Sequence, residues 1–161
     1  MGRETMETFL LFGGNVELNL AESGRHITAH TTKFVIYDFW TSMIESPHTV
    51  ADIAEYIFPF EDEKMFNVFQ EKYLRNKDPY TRAALFFLLN RCSSNGMISY
   101  GALDQKNYNP IALSYIRRFK PVNFNVTYDQ CEDFSTQIPK AKDADFIFLP
   151  IGKFSFNLLE E

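Results

Sequence analysis

The sequence predicts an α/β fold, on three observations. Short apolar runs bounded by glycine or proline occur near both ends of the chain. Segments with helical spacing and clear start signals lie between them. The resulting order is β-α-β, a helical block, a polar loop, a helix and then two further strands, the order expected of strands joined by helical crossovers.

Each element has a local reason. Residues 8–12 (TFLLF) form an apolar run closed by Gly13-Gly14, which reads as a buried strand entering a tight turn. Asn15 is placed to cap a helix from about Val16 to Ser23, with Glu17 in its first turn and Gly24 at its end. HITAH at 26–30 alternates as a strand does. Residues 34–45 read as a helix stopped by Ser46-Pro47. Thr49 is a candidate cap for a short helix across VADIAEYIF. Two more helices follow at 61–75 and 79–92, the second capped by Asp78 with Pro79 at its first position. RAALFFLLNR is apolar nearly all round and so largely buried. From Cys92 to Pro110 the chain is polar and turn-rich, a loop long enough to be functional or mobile. Ile111–Phe119 returns to helix, and FNVTYD (124–129) and ADFIFLP (144–150) read as strands.

Composition narrows the class. With 161 residues, the chain is one domain's worth, and a domain of that size buries roughly two-thirds of its unfolded surface. Hydrophobic residues at 45% and charged residues at 23% exclude a disordered chain, and 7 Gly and 2 Cys exclude collagen-like and disulfide-dense ones. Aromatics reach 16%, led by 17 Phe, so many rings need burial in the chain's own core or in a partner. The net charge of −5 is opposite in sign to a general polyanion binder, although basic residues can cluster locally. Cys92 and Cys131 make no metal pattern, which sets a reducing, cytoplasmic compartment as the expectation. The opening MGRETMETFL is not a signal peptide, and no apolar stretch approaches the roughly 20 residues of a membrane span. No zinc pattern, phosphate-binding loop or Ser-His-Asp order emerges, and no metal is expected.

Three stretches together resemble the Dam-type DNA adenine-N6 methyltransferases, which use S-adenosylmethionine. FGGNVELNLAESG (12–24) resembles the family's glycine-rich cofactor turn. There glycines let the backbone approach a ligand and a helix N-terminus offers free N–H groups. DPYTRAALFFLLNRCSSNGMISYG (78–101) resembles the helix that opens the DNA-recognition loop; Leu89, Asn90, Arg91, Asn95 and Gly96 match, and Ser94 replaces an aromatic. DADFIFLP (143–150) resembles the strand leading into the catalytic Asp-Pro-Pro-Tyr. Order and rough spacing agree, and the resemblance covers most of the chain. It implies a truncated Rossmann-like methyltransferase sheet, a single domain over 1–161, with a helical insert and recognition-like loop at about 49–120. It also implies a viral or phage protein, resident in the host cytoplasm.

The departures fall on the chemistry. After Phe148 the chain reads Leu149-Pro150-Ile151-Gly152, so the Asp side chain and Pro carbonyl that accept hydrogen bonds from the adenine amino group, and the Tyr that stacks on the flipped base, have no counterpart. The acid expected after the second strand to hold the cofactor ribose is replaced by His30-Thr31-Thr32. The lysine-bearing motif before the first strand and the C-terminal half of the methyltransferase sheet are absent from this sequence. The resemblance therefore implies a divergent relative, catalytically inactive by itself, that binds DNA, S-adenosylmethionine or both, or serves as a structural or regulatory subunit. The alternative is an active enzyme completed by a partner chain or dimer mate. An exposed sheet edge and a Phe-rich tail point to a homo-oligomer or partner subunit.

The residues that would carry these roles also have plainer readings. Phe12, Gly13, Gly14, Asn15 and Glu17 form a cofactor-facing turn or simply a helix-entry turn. Asn90, Arg91 and Asn95 contact DNA or hold the loop, with Arg91 complementing a helix dipole. Arg117, Arg118 and Lys120 bind phosphate or neutralise a helix end. Tyr100, Lys106, Asn107 and Tyr108 suit nucleic-acid readout or a solvated loop. His26 and His30 lack partners at ligand spacing and read as structural. Asp143 and Asp145 precede the last strand, where one of them would be a displaced acid.

Overall fold

A computed structural model describes residues 4–9, 11, 13–96, 98–120, 122–130 and 134–149. The chain divides into two compact units, one built from the described residues of Met1–Thr41 and Lys120–Lys153, the other on Ser42–Phe119.

The first unit is an α/β sheet. Its strands are β1 (Thr5–Thr8), β2 (His26–Thr31), β3 (Phe124–Tyr128) and β4 (Phe146–Phe148), all parallel, in the spatial order β3-β2-β1-β4. That is a Rossmann-like arrangement, as the α/β reading requires. β1 lies earlier than the apolar run 8–12 suggests. The run's residues still pair singly beyond the strand, Phe9 N donating to Phe148 O at 3.1 Å and Leu11 N to His30 O at 2.9 Å. β4 is shorter than 144–150 because Asp145 is held at its entry by Thr5, whose N–H donates to Oδ2 at 2.7 Å.

Period-2 alternation divides the sheet into unlike faces. Ile27, Ala29 and Thr31 of β2 are buried, as is Phe124 of β3. The helix α1 (Asn15–Glu22) packs on β2 and β3. The first turns of α2 (Phe34–Glu45) bring Trp40 edge-on to Phe124 at 5.6 Å, and Phe34 and Tyr37 to Tyr128 at 5.5 and 5.9 Å. The alternate positions are polar and more exposed: Glu7, Thr28, His30, Asn125 and Thr127. An all-parallel sheet is usually apolar on both faces, so this polar face is a departure.

The second unit is helical: α3 (Pro47–Ile57), α4 (Glu63–Arg75), α5 (Pro79–Cys92) and α6 (Pro110–Arg118). α5 packs on α3 and α4, and α6 on α3. Val50, Ala51 and Ala54 face inward from α3, and Ala83, Ala84, Leu85, Leu88 and Leu89 from α5, all almost fully buried. Alanines at these positions let the helix axes approach closely. Asp78 caps α5 as its sequence predicts, Oδ2 accepting from Thr81 N at 2.7 Å. Two expected caps are corrected. Thr49 lies inside α3, which starts at Pro47, and its hydroxyl pairs with that of Ser46 at 2.7 Å. Asn15 is the first helical residue of α1; Gly14 is the cap position.

The polar stretch after Cys92 is tied down. Two 3-10 turns, Ser94–Gly96 and Gln105–Asn107, and a bridge between Ser93 and Leu103 organise it. Glu63 accepts from Leu103 N at 3.0 Å, Gln70 Nε2 donates to Gly101 O at 3.0 Å, and Gln105 Nε2 to Phe60 O at 2.8 Å. Tyr108 stacks on Phe58 at 3.8 Å. The last helix, α7 (Phe134–Gln137), runs into a 3-10 turn over Ile138–Ala141 in the sheet unit.

Candidate functional site at the carboxyl edge of the sheet

Open α/β sheets bind ligands beyond the carboxyl ends of their strands, where the strand order reverses. Here β2 and β3 extend the sheet on one side of β1 and β4 on the other, so the reversal lies between β1 and β4. The turn leaving β1 is Gly13-Gly14. The two glycines do different things. Gly14 has φ +70°, and a Cβ there would lie 2.7 Å from Trp40 Cζ2, so its missing side chain makes room for the indole. Gly13 has nothing within 4 Å of where its Cβ would be and faces open space. Phe12 lies outside the described residues.

α1 begins without a side-chain cap; its first backbone bond is Leu18 N to Gly14 O at 2.8 Å. Its N-terminal N–H groups therefore remain available to a ligand. Asn15 is exposed, and its carbonyl is bonded by Asn19 Nδ2 at 2.6 Å. Glu17, in the first turn, is only 5% exposed and has no hydrogen-bond or ion-pair partner among the described residues. Thr8, which ends β1, is fully buried with its Oγ1 unpartnered. Buried polar groups are ordinarily satisfied, so the end of β1 holds one side chain, Thr8, whose hydrogen bond is unmade among the described residues.

On the polar face of the same edge, three strands contribute one side chain each. His30 Nε2 bonds to Glu7 Oε2, and Thr127 Oγ1 bonds to His30 Nδ1 at 2.5 Å. Phe9 stacks on the imidazole at 4.6 Å with its plane tilted 17°. A histidine without sequence neighbours of the right type thus has two polar partners in space. The alternation of HITAH and FNVTY, polar at every second position, is the signal that could have found them. Asp145 is not part of this edge: it sits at the amino end of β4, and the Thr5 N–H and hydroxyl hold its carboxyl below the usual 3.8.

The residues of the expected DNA contacts lie elsewhere. Asn90 Nδ2 donates to Gly96 O at 3.2 Å and fixes the loop after α5. Arg91, Arg118 and Lys120 are exposed and have no partner among the described residues. Arg117 bonds Asp52 and, at 2.7 Å, Glu55; the Asp52 carboxylate raises the guanidinium above its ordinary value. The Asn95 side chain lies outside the described set. Cys92 is fully buried, and burial pushes its thiol up to about 12.

Among the described residues no three His, Cys, Asp or Glu side chains gather as a metal site, and no helix is long and apolar enough to cross a membrane. No protein-family model matches the chain and no curated protein matches it.

Proposed function

We propose that this chain binds S-adenosylmethionine on a scaffold like that of the DNA adenine methyltransferases, and that it does not methylate by itself. One observation carries the reading: an uncapped helix N-terminus behind an open glycine, at the strand-order reversal, with Glu17, which has no polar partner among the described residues, in its first turn. Free N–H groups there would suit any anion. The Glu17 carboxyl group beside them is an acceptor, which suits a ligand that presents hydrogen-bond donors better than one that presents phosphate oxygens. S-adenosylmethionine carries a sulfonium and an ammonium and no phosphate, whereas a dinucleotide carries two phosphates. Catalysis is left out because Leu149-Pro150-Ile151-Gly152 offers no group to hold or stack an adenine base.

DNA binding belongs to the same proposal through Arg91 and Arg118 of the helical unit, two exposed cations that the sequence singled out and that have no carboxylate partner among the described residues. A partner chain is supported by the exposure of Phe146 (52%) and Ile147 (42%) on β4, the outer strand of the sheet among the described residues.

The test is thermal unfolding with S-adenosylmethionine, with NAD, and with neither. A ligand that binds only the folded chain stabilises it by about 2.7 kcal/mol at a hundred times its Kd. A rise with S-adenosylmethionine alone supports the proposal. A rise with NAD alone, or with neither, removes it. For DNA, affinity that fails to fall with salt would remove that part.

A further inference from the structure

The polar chain across β1, β2 and β3 has a chemistry of its own. His30 and Thr127 are register partners in the β2–β3 ladder, so the hydroxyl meets the imidazole directly across the strands. Glu7 is paired in register with Thr28, one step behind His30 on the same face, and its longer side chain reaches forward to Nε2. A carboxylate can only accept, so Nε2 carries the proton and Nδ1 is left as the acceptor for the Thr127 hydroxyl. Phe9, 2% exposed and stacked on the ring, fixes the imidazole plane. Thr127 itself is exposed, and the side chains of Glu7 and His30 are about one-fifth exposed, so a solute can reach the hydroxyl while its base stays sheltered. All three residues stand one position before the carboxyl ends of their strands.

A carboxylate that orients an imidazole, which in turn takes the proton of a hydroxyl, is the arrangement that makes an alcohol nucleophilic. We propose that Thr127 is an activated hydroxyl that accepts an acyl group from an activated ester, with His30 as its base and Glu7 as the residue that positions the imidazole. Thr127 Oγ1 attacks the acyl carbon. The Oγ1–C bond forms as the bond from carbon to the leaving oxygen breaks. The hydroxyl proton passes to His30 Nδ1 and from there to the departing alkoxide. Water then attacks the acyl-threonine by the same route, releasing the carboxylic acid and restoring the hydroxyl. The sum is ester plus water giving acid plus alcohol. No part of this step uses the glycine turn or S-adenosylmethionine, so it stands or falls separately from the cofactor reading.

The experiment incubates the full chain with p-nitrophenyl acetate, follows nitrophenolate release, and maps the acetyl group by peptide mass spectrometry. The acetyl group is expected on Thr127. Thr127→Val, which keeps the shape and the strand preference of the residue, loses the label; Thr127→Ser keeps it. His30→Asn slows Thr127 labelling by at least about a hundredfold, the low end of what a positioned base supplies. Glu7→Gln slows it with an unchanged melting temperature, and Glu7→Asp restores part of the rate, which a purely structural carboxylate would not do. Acetyl groups on lysines alone, or a Thr127 labelling rate indifferent to His30→Asn in a folded variant, overturn the proposal.

Discussion

Replacing Gly14 by alanine separates the structural use of the glycine turn from any ligand-binding use. The backbone there has φ +70°, a left-handed conformation that costs an L-residue about 1–2 kcal/mol. The added methyl would lie 2.7 Å from Trp40 Cζ2 and 3.1 Å from Cη2. The indole is 7% exposed and rests edge-on against Phe124, so it has little room to withdraw. Overpacking of this kind costs about 1–3 kcal/mol. The two effects together give roughly 2–5 kcal/mol, a large share of a typical domain's stability. Trp40 is the only tryptophan, so urea unfolding followed by its fluorescence reads this site directly. Gly13→Ala is the control: its added methyl meets nothing within 4 Å. The expected result is a lower midpoint with unchanged slope for Gly14→Ala and a wild-type midpoint for Gly13→Ala. Equal stability of the two variants would refute the argument that Trp40 packs on this turn.

Other consequences are simpler to state. Leu88→Ala empties a fully buried position of α5 and should cost about 2–5 kcal/mol by denaturant unfolding. Asp78→Ala removes the oxygen that accepts from Thr81 N and should cost about 1 kcal/mol by the same measurement. Asp145 titrates below its ordinary 3.8 in the folded chain, chiefly through the Thr5 N–H. Its contribution is therefore complete at neutral pH and is lost as the pH falls below 3.8 through the folded value; Asp145→Asn should flatten stability against pH in that acid window. Cys92, buried and with its thiol raised to about 12, should stay unlabelled by iodoacetamide at pH 8 in the folded chain and react once urea unfolds it.

Local signals carried much of the fold. The helix at 79–92 is announced by Asp78, Pro79 and a nearly continuous apolar run, and each works by a contact a few residues away. The helix at 34–45 and the strand from His26 are legible for the same reason. The first strand shifts because apolar content and pairing are different things: Phe9 and Leu11 are buried apolar residues, but Thr5–Thr8 makes the ladder. The polar stretch after Cys92 looks like a free loop because the groups that tie it, Phe60, Glu63 and Gln70, lie on or just before another helix. Of the candidate site, the glycine turn is visible in the sequence, yet the need for Gly14 comes from an indole twenty-six positions away. The chain from Glu7 through His30 to Thr127 spans 23 and then 97 positions, and only the strand order brings it together.

The cofactor reading is tested most directly by titration calorimetry with S-adenosylmethionine on the full chain and on Gly13→Val. The account predicts one saturable site per chain, no comparable heat from NAD, and clear weakening by Gly13→Val, whose branched side chain would fill the open space at the turn. No heat of binding from a chain shown to be folded, or binding indifferent to Gly13→Val, would contradict it.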